Sequence, residues 1–302
     1  MRKIKIFIHE PVLIFEILEF LNLQENDFVL DGTIGLGGHA IKILERIPNG
    51  KLFGFDLDYE AIKITRNNLL KFKNFELINE NFSESINFLK EKNVKVDKIL
   101  LDLGVSSMQL DDENHGFSLR KNTDLDFRMN KNFGLSASEK IRNSSVETLQ
   151  KILNNFGEIS ERFRFSDLQK LAKIIFENRF SLKKTFDLVE LIDENFKFLN
   201  SQKLFLLKTL VFQAIRIWVN DELSSIEKFL NSVDEILNPN GRIAIISFHS
   251  LEDRIVKNFF RILQSEKEYK ILTKKPILPN EVELQKNFRS RSAKLRVIQK
   301  IL

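Results

Sequence analysis

The chain has 302 residues, 43% of them hydrophobic, enough for one large or two modest domains with a proper core. It contains no cysteine, which excludes disulfides, thiolate metal sites and a thiol nucleophile. The formal net charge is +5 with a pI near 9.1, a mild basicity that suits a polyanionic partner and that a Lys- and Asn-rich composition produces equally well.

The N-terminus, Met1-Arg2-Lys3-Ile4-Lys5-Ile6, carries charge with no apolar segment behind it. No apolar run approaches the roughly 18 residues of a membrane span, so the expectation is a cytoplasmic protein without membrane contact. Residues 1–10 read as irregular, with His9 and Glu10 at a helix entry. Pro11 falls where a first helical turn tolerates proline, and Ile14, Ile17, Leu18 and Leu21 mark one helix face. Phe28-Val29-Leu30 is a short strand, followed by Asp31-Gly32-Thr33-Ile34-Gly35-Leu36-Gly37-Gly38-His39 and a helical pattern from Ala40. Pro48-Asn49-Gly50 ends that helix. A second strand over Lys51–Asp56, a helix over Tyr59–Leu70 and a third strand over Phe75–Ile78 come next. Ile99–Gly104 is a fourth strand, an apolar run of the sort buried in a parallel sheet, and it contains Asp102.

The alternation then stops. Val105 to Asn130 is polar and loop-like, and from about Ser136 to Asn200 helical periodicity dominates, as in Leu149/Ile152/Leu153 and Leu168/Leu171/Ile174/Ile175. Residues 113–213 are expected to be a mainly helical insertion, and 1–112 with 214–302 the α/β domain. Two further helices carry Phe212–Asn220 and Leu223–Leu237, the second stopped by the turn signal Asn238-Pro239-Asn240-Gly241. Strand five is Arg242–Ser247, a helix runs to about Ser265, and Tyr269–Thr273 and Ala293–Lys300 are final strands. The fold class is α/β, a doubly wound Rossmann-like sheet.

Ligands of such sheets bind at the carboxyl ends of the strands, where Asp31, Asp56 and Asp102 stand. Glycines directly after the first strand let the backbone turn sharply and approach a bound molecule, as at a nucleotide-type cofactor site. A dinucleotide fingerprint reads G-x-G-x-x-G, whereas this loop reads G-x-G-G. Asp31 would repel a pyrophosphate and hold an ammonium group, which favours S-adenosylmethionine over NAD. Asp56 lies 18 residues past Gly38, close to the roughly 20-residue spacing at which an acid accepts ribose hydroxyls in either cofactor class. Phe82 is placed to pack on the adenine or to fill core. A nicotinamide-dependent oxidoreductase and a non-catalytic RNA-binding or assembly factor on the same scaffold remain alternatives.

D-G-T-x-G-x-G-G-H, L-L-D-L-G-V-S-S-x-Q-L-D, L-D-x-R-M, F-Q-A-x-R-I-x-V-N-x-E-L, I-S-F-H-S-L-E-D-R-I-V-K and R-S-R-S-A-K-L-R occur in this order over nearly the whole chain. Together they resemble the bacterial 16S rRNA cytosine-N4 methyltransferase family of the MraW type. The resemblance implies a class I S-adenosylmethionine-dependent rRNA methyltransferase with a helical insertion for RNA. It also implies that the target is a cytidine in the decoding centre, at the P site of the small subunit. Methyl transfer from a sulfonium is an in-line displacement that needs no metal, and no obligate protein partner is evident from the sequence. The resemblance places Gly37, Gly38 and His39 on the family's glycine-loop contacts, Asp56 on its ribose acid, and Phe82, Asp102 and Gln109 on the adenine and methyl-donor side. Departures cluster near the insertion. Gly157-Glu158-Ile159 replaces G-E-E, Ser160–Phe165 replaces an arginine-rich helix, Leu210-Val211 replaces R-T, and Phe288 replaces a proline.

Cytosine C5 methylation requires an attacking cysteine, which this chain lacks. An exocyclic amine instead needs an acceptor for its N–H, and Asp102 is the candidate, with cofactor holding as the competing role. Arg254, Lys257 and Arg261 fall near one helix face and, with Arg289, Arg291, Lys294 and Arg296, are candidates for RNA phosphates. His249 is either a polar group near the base or a structural hydrogen bond at a strand end.

Overall fold

A computed structural model describes residues 11–106, 109, 115–266 and 268–301. The described chain runs α1 (Ile14–Leu21), β1 (Phe28–Asp31), α2 (Gly38–Leu44), β2 (Lys51–Phe55), α3 (Tyr59–Asn68), β3 (Phe75–Ile78), α4 (Ser85–Glu91) and β4 (Val96–Asp102). Six helices follow: α5 (Ala137–Arg142), α6 (Val146–Gly157), α7 (Ile159–Arg162), α8 (Phe165–Glu177), α9 (Thr185–Asn195) and α10 (Ser201–Asn220). Then come α11 (Glu222–Ser232), β5 (Leu237–Ser247), α12 (Ser250–Ser265), β6 (Tyr269–Ile271), α13 (Glu281–Lys286) and β7 (Lys294–Lys300). The expectations for His9, Glu10 and most of 107–114 lie outside the described residues.

Two compact units result, one up to Gly104 and again from Leu223, the other Val105–Glu222. In the first, seven strands form one sheet in the order β3-β2-β1-β4-β5-β7-β6. Neighbours from β3 to β5 are parallel, and β7 is antiparallel to both β5 and β6. Successive side chains of a strand face opposite sides, and this sheet is apolar on both. Leu30, Ile99, Leu101 and Ile245 meet α4, α11 and α12 on one face. Val29, Leu100, Ala244 and Ile246 meet α1 and α2 on the other. That double burial explains why the strands read as unbroken apolar runs.

Two local expectations are corrected. Pro11 does not stand in the first turn of α1, because the helix starts at Ile14 after Leu13 takes a left-handed conformation at φ 53°. Asn238–Gly241 does not separate a helix from a strand. α11 ends at Ser232 and β5 already begins at Leu237. Its pairing with β4 jumps from Val96–Leu237 to Lys98–Arg242, so the turn residues form an irregularity within the strand. The Asn238 amide donates to Asp97 Oδ1 at 2.8 Å and fixes it.

The second unit is helical, with its own core of Leu149, Leu153, Leu168, Leu171, Ile175, Leu188, Ile192, Leu207, Val211 and Ile215. Ser136 and Glu139 close a reciprocal capping box on α5, and Ser145 accepts from the Thr148 N–H at the start of α6. Leu210 and Val211, the departure from R-T, are both buried in this core. No helix of the described residues is long and apolar enough to cross a membrane.

Candidate active site

The sheet order reverses between β1 and β4, which opens a crevice at the carboxyl ends of these strands. Asp31 ends β1 opposite Gly54 of β2 and Leu100 of β4. Asp56 and Asp102 each stand two residues further along a neighbouring strand. With strands about 4.8 Å apart, the three carboxyl groups share one edge.

Thr33 ties that edge together. Its N–H donates to Asp31 Oδ1 at 3.2 Å, and its Oγ1 accepts from the Asp102 N–H at 2.6 Å. Asp56 accepts from the Gly35 N–H at 2.8 Å and from the Asp58 N–H at 2.9 Å. Asp31 Oδ2 and Asp102 Oδ1 are buried with no hydrogen-bond partner among the described residues. Burial pushes the Asp102 carboxyl up to about 8, reinforced by the charges of Asp31, Glu252 and Glu283. Burial also lifts Asp31 to about 7, against the Thr33 N–H and with help from Asp56. Asp56 rises to about 6 by burial, opposed by the N–H groups of Asp58 and Gly35.

His39, in the first turn of α2, is buried beside this edge. Its Nε2 lies 2.9 Å from the Val12 carbonyl, which can only accept, so Nε2 carries the hydrogen. Nδ1 therefore presents its lone pair toward Asp102 Oδ2, 3.8 Å away. Burial holds the imidazole down at about 4, so the ring is neutral. The glycine loop takes left-handed φ at Gly35 (+51°) and Gly37 (+82°), conformations that L side chains adopt only with strain. At Gly32 the constraint is space, since a Cβ would come within 2.3 Å of Leu101 Cδ2 and 2.9 Å of Phe82 Cβ. The Phe82 ring is half-buried and meets Phe229 edge to face at 5.7 Å, so it both fills core and keeps an open side.

Among the residues singled out from sequence, Asp31, Gly37, Gly38, His39, Asp56, Phe82 and Asp102 thus surround one crevice mouth. Gln109 belongs to the helical unit, where it is buried, accepts from the Ser106 N–H at 3.0 Å and donates its own N–H to Ser106 Oγ at 3.1 Å. Sequence reasoning did not single out Thr33, although the quoted motif contains it, and Glu283 gave no signal at all. The Glu283 Oε1 accepts from the Leu13 N–H at 2.9 Å across 270 positions of sequence.

Two buried oxygens without partners among the described residues, and three acids driven toward protonation, are costly. A profile described as the MraW methylase family matches residues 6–301. The chain belongs to the MraW methylase family. Relatives of this methylase include the ribosomal RNA small subunit methyltransferase H of Mycoplasmopsis synoviae, 43% identical over 97% of this chain and 98% of the relative. That of Thermotoga neapolitana is 40% identical over 96% and 95%. Among solved structures, an rRNA methylase from Streptococcus thermophilus aligns over 96% of both chains at 12% identity, with a TM-score of 0.46. The seven-stranded order fits the Rossmann-like class I methyltransferase sheet expected from the motifs.

Two candidates near this site have structural occupations. His249 caps α12, its Nδ1 accepting from the Glu252 N–H at 3.4 Å while Nε2 lies 3.1 Å from Glu252 Oε1. Arg296 is not available to phosphate as expected, because it is buried and spends its guanidinium on Asp253 at 2.6 and 3.2 Å.

Proposed function

We propose that this methylase transfers a methyl group from S-adenosylmethionine to N4 of a cytidine in the decoding centre, at the P site, of 16S rRNA. The carrying observation is the pair of buried oxygens, Asp31 Oδ2 and Asp102 Oδ1, that have no hydrogen-bond partner among the described residues, at the switch point of a chain from a methylase family. The relatives named as small subunit rRNA methyltransferases support the choice of RNA. A pyrophosphate would make ionising Asp31 and Asp102 costlier still, whereas a cation makes it cheaper, which disfavours a dinucleotide.

When bound, the cofactor supplies a methyl group on a cationic sulfur. Asp31 holds its ammonium, Asp56 accepts from its ribose hydroxyls, and Phe82 packs on its base. Gly37, Gly38 and His39 complete the binding set within the α/β unit. A cation bound beside it would return Asp102 to the carboxylate form, which accepts a hydrogen bond from the target amine, restores the lone pair that the ring withdraws, and takes the proton as charge builds. Crowding at the crevice excludes water and aligns the reactants, which supplies most of what an in-line displacement requires. The helical unit recognises the RNA around the target base, which is unpaired or turned out to reach the crevice. Mass spectrometry of 16S rRNA from cells lacking the gene tests the reading. Loss of one N4-methyl group from a decoding-centre cytidine is expected, and an unchanged methylation pattern would end the claim.

A further inference from the structure

Arg164, Lys170 and Phe198 form a cation–aromatic cluster on the helical unit that methyl transfer does not use. α7 ends at Arg162, and Arg164 opens α8 with a side chain that is 74% exposed. Its guanidinium lies 5.9 Å from the centre of the Phe198 ring, and the Lys170 ammonium lies 5.6 Å from the same ring. Phe198 is 57% exposed, while Phe196 is fully buried and braces it at 5.7 Å. The ring thus leans on Phe196 at a 41° tilt, with both cations over the ring at the outer limit of contact. Arg164 gives N–H groups to Asp167 at 3.2 and 3.4 Å, and Lys170 gives one to the Asn195 carbonyl. Both cations retain further donors, since a guanidinium has five and an ammonium three.

We infer that this cluster is a stacking site for an unpaired base of single-stranded RNA, Phe198 taking the base and Arg164 and Lys170 the flanking phosphates. An exposed aromatic face accepts any base, and nearby cations answer the backbone charge. A protein occupant fits less well. Covering the ring would strip water from two cations, of which Arg164 is paired with the carboxylate of Asp167 and Lys170 with a carbonyl. The choice of RNA as the polyanion rests on the methyltransferase reading, whereas the cluster involves none of the strand-end acids.

Fluorescence anisotropy on the whole chain tests this with a short labelled single-stranded oligoribonucleotide and, separately, the same sequence as a duplex. Phe198→Ala is expected to weaken single-strand binding about fivefold or more, with Phe198→Trp restoring it and duplex binding unchanged. Arg164→Gln should lower the slope of log affinity against log salt by about one. Thermal melting of each variant confirms that it folds. Unchanged single-strand affinity in Phe198→Ala, or an equal loss on the duplex, overturns the inference. A change in self-association by sedimentation velocity with RNA affinity untouched overturns it too, assigning the face to a protein. Calorimetry with S-adenosylhomocysteine on the unaltered chain separates the two readings: failure to bind sinks the methyltransferase proposal and leaves the anisotropy to judge the stacking site.

Discussion

The Gly35 backbone N–H donates to Asp56 Oδ2 at 2.8 Å, so the acid beyond β2 fastens the glycine loop that leads into α2. The same carboxylate takes the Asp58 N–H, and Asp58 in turn caps α3 by accepting from the Glu60 N–H. One side chain therefore holds both the floor and the wall of the crevice.

Replacing Asp56 by Ala should consequently do two things. Affinity for S-adenosylhomocysteine, measured by calorimetry, should fall at least about tenfold, and stability in urea should drop by about 1–2 kcal/mol from the lost hydrogen bonds. Loss of affinity with full stability would mean that Gly35 holds its conformation without the carboxylate.

The ligand-free chain should become more stable as pH falls from about 8 to 6.5. Asp31, Asp56 and Asp102 have folded values near 7, 6 and 8, above the roughly 3.9 of an unfolded aspartate. Over that window the folded state binds more protons, so stability declines with rising pH. His39 works in the other direction below about 6.5, because its folded value near 4 leaves the unfolded chain the better proton binder. Melting temperatures across a pH series check this, and Asp102→Asn should flatten the upper part of the slope. A melting temperature that climbs between pH 6.5 and 8 would contradict it.

Asp102→Asn also separates holding from proton acceptance. If Asp102 takes the amine proton, turnover on small subunit RNA should fall about 100-fold or more while S-adenosylhomocysteine affinity moves much less. Equal losses in both would leave Asp102 as a cofactor contact only.

Arg296→Gln should weaken the fold rather than RNA binding. Removing the guanidinium leaves Asp253 poorly compensated, and the cost should be on the order of 2 kcal/mol, short of a fully isolated buried charge because Lys294 lies 3.8 Å from the same carboxylate. Urea denaturation beside oligoribonucleotide anisotropy distinguishes the two outcomes.

Gly32→Ala should destabilise by about 1–3 kcal/mol, since the added methyl meets Leu101 and the backbone-anchored Cβ of Phe82. An unaltered melting temperature would show that β1 and the Phe82 turn can separate freely.

Much of the crevice could be read from the chain because it is built from strand ends. Asp31, Asp56 and Asp102 each close an apolar run, and a parallel sheet brings such positions together whatever the loops do. What could not be read depends on contacts between distant segments. The Val12 carbonyl that sets the His39 tautomer and the Glu283 carboxylate that pins Leu13 leave no local pattern. Asn238–Gly241 misled because proline and glycine signal a turn equally well inside an irregular strand and before a regular one. Arg296 reads in the sequence as one of a row of surface cations because its partner, Asp253 on α12, stands 43 positions away.

β7 follows β6 along the chain yet lies between β5 and β6 in the sheet. During synthesis β5 must therefore wait, one flank open, until the ribosome has added residues 294–300. Until then β5 keeps a row of unpaired backbone N–H and C=O groups, the kind of edge to which another chain adds.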